Sequence, residues 1–364
     1  MKKCVLLLLP VVWFVPSAWA EKSVTLEELM SAPFPENLTA AKTGNRVAWT
    51  FNQEGKRNIW VAEAPSFAAR RLTPYLEDDG QPISDVNFSF DGNAIVYVRG
   101  EGKNAAGQFP NPTSNPAGTE QTVWSVAWSA GVPRRVDAGD SPKISAKGVI
   151  AYVRDGQIWI APLDGGEKPK QLIVRGQNHS EEWSPDGSQL VFSSSMNGSP
   201  ELYAVNASGG GLKRLTFANG ASTSPVWNPK TGQSIAFVSD RSGVPKLYLM
   251  NSDGTNATNL DLPDKGYLID PSWAPNGQLL AFSWRRPNNN YDIYIMEVAS
   301  RQIIELTRDA GRNERPSWAP DGRHIVFEST RSGTRQIWTM LADGTQARPL
   351  TTAGHNESPN WSQR

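Results

Sequence analysis

The 364-residue chain carries 36 Lys and Arg against 36 Asp and Glu, a formal net charge of zero. No basic stripe or acidic tail stands out, which argues against electrostatic capture of nucleic acid. Hydrophobic content of 38% with 20% charged fits a soluble globular chain, and 31 Gly with 27 Pro imply many turns.

Residues 1–20 read as a signal peptide: Lys2-Lys3, an apolar run from Cys4 to Val15, and a small-x-small end at Ala18-Trp19-Ala20. The apolar run is too short to cross about 30 Å of hydrocarbon, so no membrane insertion is expected after cleavage. Cys4 is the one cysteine of the chain. The mature chain therefore has no thiol for disulfides, zinc–thiolate sites or cysteine nucleophiles. An exported chain of this kind fits the periplasm. Residues 21–37 read as a lead-in with a short helix, and 38–364 as one repeat domain.

Four segments are copies of one motif: Trp183-Ser-Pro-Asp-Gly187, Trp227-Asn-Pro-Lys-Thr-Gly232, Trp273-Ala-Pro-Asn-Gly277 and Trp318-Ala-Pro-Asp-Gly322. Their tryptophans recur about every 45 residues, and Trp361 is next in the series. Each motif is followed by an apolar run such as Ile325-Val-Phe327, a polar turn such as Ser329-Thr-Arg-Ser-Gly333, and a second run such as Gln336-Ile-Trp-Thr-Met340. An Asp-Gly turn and an Arg/Leu-Thr close complete the unit. Short period-2 runs with this punctuation predict a four-stranded antiparallel meander, which buries both faces only by stacking on further copies. Weaker copies run backwards through Ile144, Phe88 and Ala40. Units starting near 40, 88, 144, 183, 227, 273 and 318 predict an all-β propeller of seven four-stranded blades, with six or eight as alternative counts. The Gly/Pro/Asn-rich stretch from Gly100 to Gln121 reads as a long exposed loop of the second unit. The opening of an eighth copy at Trp361 suggests a C-terminal strand that fastens the ring, because an isolated strand leaves unpaired edges.

The recurrent Trp is read as a wedge between blades. Asp91, Asp186, Asp321 and Asp343, which recur in the turns of the units, are read as turn caps and not as acid–base pairs. Ser129 lies in Ala127-Trp-Ser-Ala-Gly131, which lacks the first Gly of a nucleophile elbow and has no helical pattern after it. His179, His324 and His355 show no metal or triad spacing. The residues suggest no enzyme, no cofactor and no metal.

Residues from about 183 to 361 resemble the propeller of TolB, a periplasmic component of the Tol–Pal envelope system. The resemblance is carried by the Trp-Ser/Ala-Pro-Asp/Asn-Gly motif, the Ser-Asp-Arg-Ser-Gly turn and the Arg-x-Leu-Thr close. Thr25-Leu-Glu-Glu-Leu-Met30, Gly107-Gln-Phe-Pro-Asn-Pro-Thr-Ser-Asn-Pro116 and Asp155-Gly-Gln-Ile-Trp-Ile160 are similar to the opening blades of prolyl-oligopeptidase-type serine peptidases. TolB carries an α/β domain before its propeller, where this chain places more blades. The TolB resemblance implies a monomeric protein-binding scaffold whose partner is a Pal-like peptidoglycan-associated lipoprotein. The alternatives are a peptidase propeller without its hydrolase domain, and a propeller that binds a small sugar or peptide.

The loops that enter each inner strand share one face, and a rigid scaffold concentrates binding residues there. Asn313-Glu314-Arg315-Pro316 and His355-Asn356-Glu357-Ser358-Pro359 resemble the entry loops of TolB. The candidate partner-binding residues on this face are Asn178, His179, Glu181, Thr223, Ser224, Asp270, Asn313, Glu314, Arg315, His355, Asn356 and Glu357.

Overall fold

The structure is a computed structural model that describes residues 34–102, 120–129, 131–260, 266–286, 289–352, 356–357, 359 and 361. The expected signal peptide, the lead-in helix, most of the long loop and His355 lie outside the described residues. Among the described residues no helix is long and apolar enough to cross a membrane.

Seven four-stranded antiparallel sheets follow one another, each built from four strands consecutive in sequence. Their innermost strands are Phe34–Ala40, Ile83–Phe88, Asp140–Ile144, Asn178–Trp183, Ser222–Trp227, Tyr267–Trp273 and Asn313–Trp318. These define blades one to seven of a β-propeller, as the repeat predicts. Blade one begins at Phe34, a few residues ahead of the propeller start that the sequence suggests.

The stacking expected from two-faced apolar strands is met by six buried clusters, each shared by two successive blades from one and two through to six and seven. The tryptophans sit in these joints. Trp183, Trp227, Trp273 and Trp318 are buried, and each indole Nε1 donates to a carbonyl on the inner strand of the preceding blade: Lys143, Glu182, Val226 and Ser272, at 3.1–3.2 Å. The wedge thus carries a directional bond as well as volume.

The turn aspartates cap as expected. Asp186 accepts from Ser184 Oγ at 2.6 Å and from the Ser188 backbone at 3.0 Å, bonds that hold its carboxyl down at about 2. Asp343 accepts likewise from Thr345 at 2.9 Å. The following Gly187 has a φ of +65°, where only glycine is unstrained.

The expected fastening of the ring takes a different form. The inner place of blade one is filled by Phe34–Ala40, which pairs with Arg46–Gln53. The described part of the C-terminal copy lies against blade seven: the Asn356 backbone donates to the Arg335 carbonyl at 2.9 Å, and the Trp361 backbone to Ser317 Oγ at 3.4 Å.

Candidate functional site

Every innermost strand carries the same irregularity. Its register against the second strand slips by one residue, so that two residues face one aromatic or its equivalent. Such a bulge turns one side chain out of the alternation. In six blades the turned residue has a left-handed φ of 49–55°: Asn37, Asp85, Ser141, Ser224, Asp270 and Arg315. All six are polar and lie three residues before the wedge position. They are half-buried or exposed, whereas the next residue is buried in most blades (Val86, Pro142, Pro225, Pro271, Pro316). The bulges therefore place polar groups at one level on the strands around the propeller axis. Of this set the sequence singled out Ser224, Asp270 and Arg315. Asn37, Asp85 and Ser141 were missed, although their three-residue offset from the wedge was available as a signal.

The charged groups concentrate at blades six and seven. Arg315 Nη1 donates to Glu328 Oε1 at 2.9 Å and lies 3.7 Å from Glu357. Arg335 reaches Glu357 at 3.0 Å and Glu328 at 3.3 Å. Arg312 forks onto both oxygens of Glu314. The Arg315 backbone donates to Ser283 Oγ at 3.1 Å, and that hydroxyl donates to Asp270 at 3.0 Å. Burial raises the Asp270 carboxyl above the ordinary range, while the Ser283 bond and Arg315 oppose this. Despite these ion pairs the Arg315 side chain remains 47% exposed.

The remaining residues picked from sequence separate by depth. Asn178 and Asn313 are buried ties. The Asn178 side-chain amide donates to the Gly156 carbonyl at 2.8 Å, and that of Asn313 to Asp292 at 3.1 Å. Asn356 is half-buried and repeats the theme, donating to Gln336 at 2.9 Å. Glu314 and Glu181 are buried, Thr223 is half-buried, and His179, Ser224, Arg315 and Glu357 are exposed. The network also uses residues the sequence did not single out, namely Arg312, Glu328, Arg331 and Arg335. The Arg of the polar turn was legible as a repeat, but its role needs the fold: Arg331 lies over the Phe327 and Trp338 rings, and Arg241 over Phe237 and Tyr248.

Ser129 is exposed in the bend between Thr122–Ala127 and Arg134–Ala138, which pair as a β-hairpin and not as a strand-to-helix elbow. Among the described residues no group of three or more His, Cys, Asp or Glu is arranged to hold a metal ion. The chemistry on offer at blades six and seven is recognition by oriented guanidinium groups.

Comparison with known proteins agrees with this architecture. The TolB structure from Acinetobacter baumannii aligns at a TM-score of 0.51 with 21% identity, over 89% of this chain and 80% of that one. A structure from a study of two prolyl endopeptidases aligns at 0.67 with 12% identity, over 88% of this chain and 50% of that one. At such identities both show the fold alone. Among curated proteins, Tricorn protease homolog 1 of Streptomyces coelicolor is 32% identical over 68 residues, which is 19% of this chain and 6% of that protein. An uncharacterized protein of Agrobacterium fabrum is 29% identical over 85 residues, 23% of this chain and 29% of its own length. The chain thus spans less than a third of either curated relative. The family model described as the TolB beta propeller domain, PD40, matches residues 140–268 and 263–364, more than half of the sequence, and the chain belongs to that family.

Proposed function

We propose that this chain is a periplasmic, non-enzymatic scaffold whose entry face at blades six and seven receives a protein partner, as part of a Tol–Pal-type envelope system. The observation that carries the reading is Arg315. A bulge turns it outward, Glu328 and Glu357 fix its guanidinium, and about half of its side chain is exposed on the entry face. An arginine held in place loses little freedom on binding, and Arg is over-represented among residues that dominate interfaces. The partner class, a Pal-like peptidoglycan-associated lipoprotein, rests on family membership together with the entry-loop resemblance. Export through residues 1–20 belongs to the same reading.

The test is calorimetry with a purified Pal-like domain. Arg315→Ala and Glu357→Ala are expected to weaken binding by about 1–3 kcal/mol each. Lys213→Ala is the control: its Nζ bonds the Asp253 carbonyl at 2.7 Å, at the other end of the blade. Unchanged affinity in both variants, with circular dichroism showing an intact fold, would remove blades six and seven from the interface.

A second reading, a propeller that accompanies a peptidase domain, draws on the prolyl endopeptidase alignment, whose TM-score exceeds that of the TolB structure. It predicts that the chain binds a separate hydrolase domain and not a Pal-like one, and the same calorimetry distinguishes the two.

A further inference from the structure

One inner strand breaks the packing rule of the others. After the bulge, blades two, three, five, six and seven bury Val86, Pro142, Pro225, Pro271 and Pro316, whereas blade four buries Glu181. Glu181 is 2% exposed, and among the described residues no other residue donates a hydrogen bond to either carboxylate oxygen. A buried carboxyl without donors is tolerated as the neutral acid and strongly disfavoured as the anion.

The charged groups around it are few. From the inner strand of blade three come Asp140 and Lys143, the first opposing ionisation of Glu181 and the second favouring it. From the second strand of blade three comes Arg154, which is committed to Asp137 at 3.1 Å. Its own strand adds His179 and Glu182, and Glu182 also opposes ionisation. The neighbouring strands Gln189–Ser194 and Ser222–Trp227 carry no ionisable side chain. Asp140 is itself raised by burial and by Asp85.

We propose that the joint between blades three and four is a proton-controlled device in which neutral Glu181 keeps the two inner strands closed, and its anion opens them to water. The same joint holds the Trp183 indole bond to the Lys143 carbonyl, so opening disturbs the strand that presents His179 on the entry face.

Burial pushes the Glu181 carboxyl from its ordinary 4.5 up to about 7. Because the folded-state value is raised, the closed joint is fully favoured below about 4.5 and loses that advantage as pH rises through about 7.

Native-state hydrogen exchange on the full chain between pH 5 and 8, corrected for the intrinsic rate, reads the opening directly. The wild-type strands Asp140–Ile144 and Asn178–Trp183 are expected to open on the order of a hundredfold more at pH 8 than at pH 5. Ser234–Ser239 and Lys246–Asn251, which carry no Asp, Glu or His, serve as internal references. Glu181→Gln and Glu181→Val, an isostere and a neighbour-like apolar residue, should both flatten the response. A wild-type profile parallel to the reference strands overturns the proposal without any variant, and so does a Gln or Val variant that keeps the full pH response.

Discussion

Arg308 and Arg335 both meet glutamates, but the carboxylates differ in their surroundings. Arg308 is largely exposed, and it shares Glu305 with Arg286 and Tyr294. Arg335 supports Glu328, which is buried on the second strand of blade seven. Removing a partner from an exposed pair costs little, whereas losing Arg335 takes one of two cations from each of two buried carboxylates, leaving Glu328 to Arg315 and Glu314 to Arg312. Urea unfolding is therefore expected to show a small effect for Arg308→Ala and a loss of about 2–3 kcal/mol for Arg335→Ala. Equal midpoints for the two variants would contradict this. The same depth argument separates the entry-loop residues singled out from sequence. Period-2 alternation read backwards from Trp318 buries Pro316 and Glu314 and exposes Asn313. The bulge adds one residue, which turns Arg315 out and moves Asn313 to the buried side, while Glu314 is covered by the Arg312 fork. In the sequence the bulge shows only as a polar residue at a fixed offset from the wedge, which is why the face was legible and the depth was not.

At the level of the strand, the wedge tryptophan does two jobs that mutation separates. Trp318 fills the joint between blades six and seven, and its Nε1 donates to the Ser272 carbonyl at 3.2 Å. Trp318→Phe keeps most of the volume and loses the donor, an expected loss of about 1 kcal/mol. Trp318→Ala also opens a cavity, and about 3–5 kcal/mol is expected. Thermal unfolding of both variants checks the order, and a Phe variant as damaged as the Ala variant would place the weight on the hydrogen bond. The blades that carry this Trp were legible at once, because Trp, Pro and Gly recur at fixed offsets. Phe34–Ala40 was not, since Ala40 pairs with Val47 in the register where Trp318 pairs with Ile325. Without the aromatic and the following Pro-Asp-Gly, the first inner strand resembles a lead-in, and only its pairing shows what it is.

Across the whole ring, the weak place follows from that substitution. Six joints have a buried apolar cluster, and among the described residues none spans blades seven and one. The surfaces that other blades hide are open here. Leu350 of blade seven is 49% exposed, whereas Leu72, Leu215, Leu260 and Leu306, in the same register, are buried. Leu38 of blade one is 52% exposed where Val86 and its counterparts are covered. Trp49 is half-buried at the place of the fully buried Tyr97, Tyr152, Phe192, Phe237, Phe282 and Phe327. Trp361 lies against blade seven beside His324, and among the described residues its indole Nε1 has no acceptor, unlike those of the four wedge tryptophans named above. Local opening starts where buried apolar contact is least. Native-state hydrogen exchange should accordingly show the second and third strands of blades one and seven opening at lower cost than those of blade five, which has clusters on both sides. Trp361→Ala, which removes a half-buried ring without a bonded indole, is expected to cost about 1–2 kcal/mol, less than Trp318→Ala, and to accelerate exchange in blade seven first. Protection that is lowest in blade five, or a Trp361 variant as unstable as the Trp318 one, would show that the ring is as tightly joined at the seam as elsewhere.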